Sequence, residues 1–160
     1  MPYKVYLLTG SNVGNSKALL NQANLYIIQL VGEITAASSL YQTAPWGNTN
    51  QQHFLNQVLE VSTNLEAKEV LTTILNIEQQ MGRTREEKWA PRTIDIDILF
   101  FNNNIINEHD LEIPHPLLHQ RRFTLVPLAE IAPNYIHPLL HQTITNLLQH
   151  CSDNSVVEKL

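Results

Sequence analysis

At 160 residues and 18.3 kDa the chain has the length of one domain, able to bury roughly 70% of its unfolded surface around a single core. Hydrophobic residues make up 43% and charged residues 16%, which excludes a disordered chain, and the formal charge of -5 excludes affinity built mainly on nucleic-acid phosphates. The single cysteine, Cys151, excludes an intrachain disulfide and a multi-cysteine metal site, and it suits a reducing, cytoplasmic setting.

The opening stretch, residues 1–10, is a short apolar run interrupted by Lys4, so neither a secretory nor a transmembrane segment is expected, and no membrane partner. Within it Val5, Leu7 and Thr9 alternate with Tyr6 and Leu8 up to Gly10-Ser11-Asn12, the pattern of a buried strand ending in a turn. Asn15 or Ser16 can cap a helix in which Leu19, Ala23, Ile27 and Leu30 recur at helical spacing, with Gly32 as a stop. Residues 34–43 read as extended, residues 44–53 as a loop rich in Asn, Gln, Gly and Pro, and residues 54–61 as a strand. Thr63 and Glu66 have capping-box spacing, and the stripe Val70, Ile74, Ile77 and Met81 predicts a second helix ending at Gly82. A polar loop over 83–92 precedes the alternating run Thr93-Ile94-Asp95-Ile96-Asp97-Ile98, a strand. Asn102-Asn103-Asn104 can turn the chain into Ile105-Ile106, and Pro114, Pro116, Pro127, Pro133 and Pro138 divide the remainder into short pieces. A last helix includes Ile144, Leu147 and Leu148. This order predicts an α+β fold: a ferredoxin-like sandwich with a mainly antiparallel sheet and a C-terminal extension, one domain over residues 1–160.

The chemistry is concentrated around Asp95 and Asp97. Strand side chains alternate, so both aspartates project from one face, their Cα atoms roughly 6 to 7 Å apart, while Ile94, Ile96 and Ile98 enter the opposite layer. Neighbouring carboxylates repel unless a cation sits between them, and hard oxygen ligands suit magnesium, which commonly combines one or two carboxylates with substrate phosphates. Taken alone, the pair reads more readily as two solvated aspartates on an exposed face. The setting argues otherwise: all five arginines fall between Arg83 and Arg122, and Arg83, Arg85, Lys88 and Arg92 crowd the loop before the strand. Guanidinium forks beside a dicarboxylate match the needs of a polyphosphate.

His115, flanked by Pro114 and Pro116, is either a fixed phosphate contact or a satisfied turn histidine. Trp46, Phe54, Trp89 and Phe123 can stack on a flat ring or serve as core, and Phe54 shares a strand face with the amide of Asn56. His137 and His141 are four apart with Pro138 between them, a poor zinc pair, and neither a P-loop nor a Gly-x-Gly-x-x-Gly pattern occurs.

These residues resemble a known family, 6-hydroxymethyl-7,8-dihydropterin pyrophosphokinase of folate biosynthesis. The resemblance rests on Gly10-Ser11-Asn12, Tyr41-Gln42-Thr43, Phe54-Leu55-Asn56, Glu78 with Gly82-Arg83, the run from Lys88 to Leu99, Pro114-His115-Pro116, and Arg121 with Phe123. It implies transfer of the terminal diphosphate of ATP, as one unit, to the hydroxymethyl group of the dihydropterin, releasing AMP. By matching positions it implies that Asp95 and Asp97 hold two magnesium ions, and that Glu78, Arg92, Ile98 (by its backbone), His115 and Arg121 bind ATP. Arg83 and Arg92 would engage the phosphates. Thr43, Ala44, Trp46, Phe54, Asn56, Trp89 and Phe123 would form the pterin pocket, and the loops 44–53 and 83–91 would act as lids. A monomer without a nucleic-acid partner is expected. Two other classes compete: a magnesium-dependent nucleotide hydrolase, and a non-catalytic ferredoxin-like ligand-binding module.

Overall fold

The computed structural model of the chain describes residues 2–44, 52–82 and 94–160. Strand β1 (Tyr3–Ser11) is buried on both faces, Val5 and Leu7 on one and Tyr6 and Leu8 on the other, which is why its sequence is continuously apolar from Val5 to Leu8. Helix α1 (Ser16–Leu30) starts where the Asn15 side chain accepts the Ala18 N–H at 3.1 Å. Its buried stripe is Ser16, Leu20, Ala23 and Ile27, whereas Leu30, expected in the stripe, is exposed.

Helix α1 ends just before Gly32, as expected, but the glycine is required by the sheet. Gly32 opens strand β2 (Gly32–Ala37) and pairs with Thr63 on strand β4 (Phe54–Thr63), where an added Cβ would lie 2.0 Å from the Ser62 carbonyl oxygen. Close backbone approach, with no room for a side chain, is the reason for glycine there. The single extended run expected over 34–43 is two strands, β2 and β3 (Tyr41–Thr43), both antiparallel to β4. Between them the Ser38 hydroxyl accepts the Val58 N–H at 2.9 Å.

Helix α2 (Ala67–Gln80) buries Val70, Ile74 and Ile77, and Met81 just beyond it, as the spacing predicts. The cap differs from expectation: the Glu69 carboxylate accepts the Glu66 N–H at 2.9 Å, while the Thr63 hydroxyl donates to the Val31 carbonyl at 2.7 Å. After strand β5 (Asp95–Phe101) come a separate hairpin, β6 (Ile106–Glu108) with β7 (Leu111–Ile113), then helices α3 (Arg122–Ile131) and α4 (Ile144–Gln149), and a terminal strand β8 (Glu158–Lys159). The main sheet runs β5-β1-β4-β3-β8, with β2 also on β4, and all of these pairings are antiparallel. The ferredoxin-like order is realised, with the C-terminal extension contributing α3, α4 and β8.

There are two apolar layers where one core was expected. On one face Val5, Leu7, Leu59, Ile96 and Ile98 pack with Leu20, Ile27, Ile74 and Ile77 of α1 and α2. On the other Tyr6, Leu8, Val58, Leu99 and Phe100 pack with Leu125 and Leu128 of α3 and Ile144 and Leu147 of α4. A register shift makes this possible: Leu7 pairs with Ile98 but Tyr6 pairs with Phe100, so Leu99 and Phe100 both join the second layer. Among the described residues no helix is long and apolar enough to cross a membrane.

Candidate active site

Asp95 pairs with Gly10 on β1, Gly10 pairs with Asn56 on β4, and Asn56 pairs with Tyr41 on β3, so these four residues form one row across the sheet. Directly paired residues point to the same face, and so do residues two apart on a strand. Asp95, Asp97, Phe54, Asn56 and Thr43 therefore share one face, the one that carries the second apolar layer farther along the strands. Both aspartates are half-buried, and two strand spacings, roughly 10 Å, separate the Asp95 and Asn56 backbones.

Gly10 stands between them, and its lack of a side chain is required. A Cβ there would lie 2.5 Å from Nδ2 of Asn56, whose amide leans across the strand and donates to the Thr9 carbonyl at 3.3 Å. A glycine inside a strand pattern is the sequence signal of such an approach, although nothing local says which residue approaches.

On the outer side of β5 the strand's backbone groups meet other elements. Glu78, buried on α2, accepts the Ile96 N–H at 2.8 Å, between the two aspartates, and the His115 N–H donates to the Leu99 carbonyl at 3.0 Å. Ile98 points its side chain into the first layer. Pro114 follows a cis peptide bond, and the chain then folds so that Nδ1 of His115 accepts the Leu117 N–H at 3.1 Å. That bond leaves the proton on Nε2 in the neutral ring. Burial first, then the Arg121 guanidinium, pushes the His115 pKa down to about 4, against an opposing pull from Glu112, so the imidazole is neutral at pH 7. Arg121 also lies over the Phe123 ring, 5.5 Å from its centroid, and Phe123 packs against the second apolar layer on the aspartate face.

The predicted residues thus fall into two groups about the aspartates. Glu78, Ile98 and His115 lie along the outer margin of β5. Thr43, Phe54 and Asn56 lie across Gly10 on β3 and β4, with Ala44 exposed next to Thr43, while Arg121 and Phe123 stand at the start of α3. Arg83, Arg92, Trp46 and Trp89 lie outside the described residues, as do residues 45–51 of the first expected lid and the whole of the second. Among the described residues no group of three or more His, Cys, Asp or Glu forms a ready-made metal site.

A family model for 7,8-dihydro-6-hydroxymethylpterin-pyrophosphokinase (HPPK) matches residues 6–133. The 2-amino-4-hydroxy-6-hydroxymethyldihydropteridine pyrophosphokinase of Aquifex aeolicus (strain VF5) is 41% identical over 140 residues, covering 88% of this chain and 87% of the relative. The enzyme of the same name from Bacillus subtilis (strain 168) is 43% identical over 127 residues, covering 79% and 76%. Among solved structures, Plasmodium falciparum HPPK-DHPS, wild type with pteroate, aligns with a TM-score of 0.75 and 19% identity over 93% of this chain. That likeness is one of fold, and the chain spans only 42% of that longer protein.

Proposed function

The chain belongs to the 7,8-dihydro-6-hydroxymethylpterin-pyrophosphokinase family, and from that premise we propose that it transfers the terminal diphosphate of ATP to the hydroxymethyl group of 6-hydroxymethyl-7,8-dihydropterin, releasing AMP. The reaction is a step in folate biosynthesis, carried out by residues 1–160 acting as one domain. The observation that supports the reading is the row Asp95–Gly10–Asn56, which sets a dicarboxylate and a side-chain amide on one face with no side chain between.

Asp95 and Asp97 present carboxylate oxygens from one face of one strand, a donor set that fits magnesium and would hold two ions together with phosphate oxygens. When bound, magnesium offsets charge developing on the phosphates and makes the acceptor hydroxyl easier to deprotonate. Glu78, Arg92, the Ile98 backbone, His115 and Arg121 hold ATP, with Glu78, Ile98 and His115 along the outer margin of β5. Neutral His115 offers Nε2–H as a donor, and Arg121 offers a permanent charge. Arg83 and Arg92 engage the transferred phosphates. Thr43, Ala44, Trp46, Phe54, Asn56, Trp89 and Phe123 form the pterin pocket: Asn56 bonds the ring edge, Phe123 stacks on its face, and Trp89 closes over it to exclude water. The carboxylates lie between the two groups, so the donor phosphate and the acceptor oxygen meet above Asp95 and Asp97. We further assign a monomeric, cytoplasmic enzyme without a nucleic-acid partner.

Incubation of the protein with ATP, magnesium and 6-hydroxymethyl-7,8-dihydropterin is expected to give AMP and diphosphorylated pterin, and a chelator is expected to abolish turnover. The variant Asp97→Ala should keep its fold and its pterin binding while turnover falls by at least about 100-fold, the scale of losing a group that stabilises transition-state charge. ADP and free phosphate without pterin dependence would indicate the hydrolase. Binding without turnover would indicate the module, a class that leaves the dicarboxylate without a task.

A further inference from the structure

The last ten residues start at Cys151, which packs against the second apolar layer, and go on to contact α3 and β3. Leaving α4, the chain reaches the start of α3, where Oδ2 of Asp153 accepts the Arg122 N–H at 2.9 Å and Oδ1 accepts the Ser155 N–H at 2.9 Å. Arg122 is the first residue of α3, and its N–H is one of those that a helix cannot satisfy internally. The position before it is Arg121, which provides no side-chain cap, so the carboxylate comes from 31 residues downstream. A negative group at this end is also favoured by the helix dipole. Burial raises the Asp153 pKa, but the Ser155 and Arg122 N–H groups, the Ser155 hydroxyl and the Arg122 charge outweigh it and hold the carboxyl below its ordinary value, hence ionised.

The tail then ends on β3: Gln42 pairs with Glu158, Tyr41 with Lys159, and the Leu160 N–H donates to the Leu40 carbonyl at 2.9 Å. The far end of α3 returns to the same strand, Glu130 accepting the Tyr41 hydroxyl at 2.5 Å and the Ser39 N–H at 3.1 Å. Helix α3, which carries Phe123, and strand β3, which carries Thr43, are therefore tied to each other directly through Glu130 and indirectly through the tail.

We propose that Asp153 is a positioning residue for the acceptor pocket: by binding the Arg122 N–H it sets the entry direction of α3, and so aims Arg121 and Phe123 at the ligand face. The inference rests on the reading of Phe123 as a pterin contact, so Phe123→Ala is measured beside the Asp153 variants. Steady-state kinetics with magnesium, ATP and 6-hydroxymethyl-7,8-dihydropterin should show Asp153→Ala raising KM for the dihydropterin about fivefold, the scale of one capping interaction, with kcat within about twofold. Asp153→Asn keeps an acceptor oxygen without the charge and should recover most of the loss, leaving a rise of about twofold. Should the alanine variant fail to fold, the asparagine variant decides by the same split. A dihydropterin KM that moves in Phe123→Ala but not in the Asp153 variants overturns the positioning role, as does a drop in melting temperature with wild-type KM and kcat. A KM unmoved in Phe123→Ala itself overturns the reading of Phe123, and the proposal with it.

Discussion

At the scale of single residues the decisive position is one without a side chain. Alternation along β4 and β5 told from sequence alone that Asp95 faces with Asp97 and Phe54 with Asn56, but the rule is local to each strand. Which face of one strand continues which face of the next is fixed by long-range register, and a sequence pattern does not carry it. The structure supplies it through Gly10, whose missing Cβ lets the Asn56 amide cross toward Thr9. Gly10→Ala places a methyl group 2.5 Å from Nδ2 of Asn56. The backbone tolerates alanine in a strand, so the amide moves. KM for the dihydropterin should rise about tenfold, one buried hydrogen-bonding group's worth of binding, while the melting temperature changes little. Unchanged kinetics together with a large loss of stability would place the amide outside the pocket.

Among elements, β5 is held at its outer margin by groups from α2 and from the turn before the 3-10 helix Leu118–Gln120. Glu78 read as a nucleotide contact by resemblance; the structure adds a buried bond from its carboxylate to the Ile96 N–H, between the two aspartates. Glu78→Ala leaves that N–H without this acceptor, at a cost of about 1–3 kcal/mol, and lets the strand bearing Asp95 and Asp97 shift. Chemical denaturation should register the lower stability, and kcat should fall with it. Glu78→Gln keeps an acceptor and should restore most of the stability; a glutamine variant as unstable as the alanine one would show that charge, not the hydrogen bond, matters here. Helix α3 was the element the sequence concealed. Pro127 sits inside it and cannot donate to the Phe123 carbonyl, a breach that costs about 3 kcal/mol in a helix interior. Burial of Thr124, Leu125, Pro127 and Leu128 offsets it, and that tertiary gain is invisible to a reading by propensity.

For the molecule as a whole, the strand and helix order over the first hundred residues was legible because amphipathic periods mark it. The second layer was not legible, because its contributors, Tyr6, Leu8, Val58, Leu99 and Phe100, come from three strands, and a register shift between β1 and β5 brings both Leu99 and Phe100 into it. That layer also governs acid stability. His137 is buried there, with Nδ1 accepting the Leu139 and Leu140 N–H groups, and burial followed by the charges of His119 and His141 pushes it down to about 4, as for His115. Both rings ionise near 6.5 when the chain is unfolded. Between about pH 6.5 and 4 the unfolded state therefore binds more protons than the native one. The resulting stability is present in full above 6.5 and is lost as the pH falls toward 4. Urea midpoints should decline across that interval, and His137→Gln should flatten the decline; a midpoint constant from pH 7 to 4 would contradict both shifts. The margins of the sheet near the site have a further consequence. On one side the outward N–H of Ile96 and carbonyl of Leu99 are already engaged, and on the other the last strand is two exposed, charged residues long. Neither offers the long, bare, apolar ribbon on which a second polypeptide could template fibril growth, so the contacts that hold β5 in place also deny its margin to a second chain.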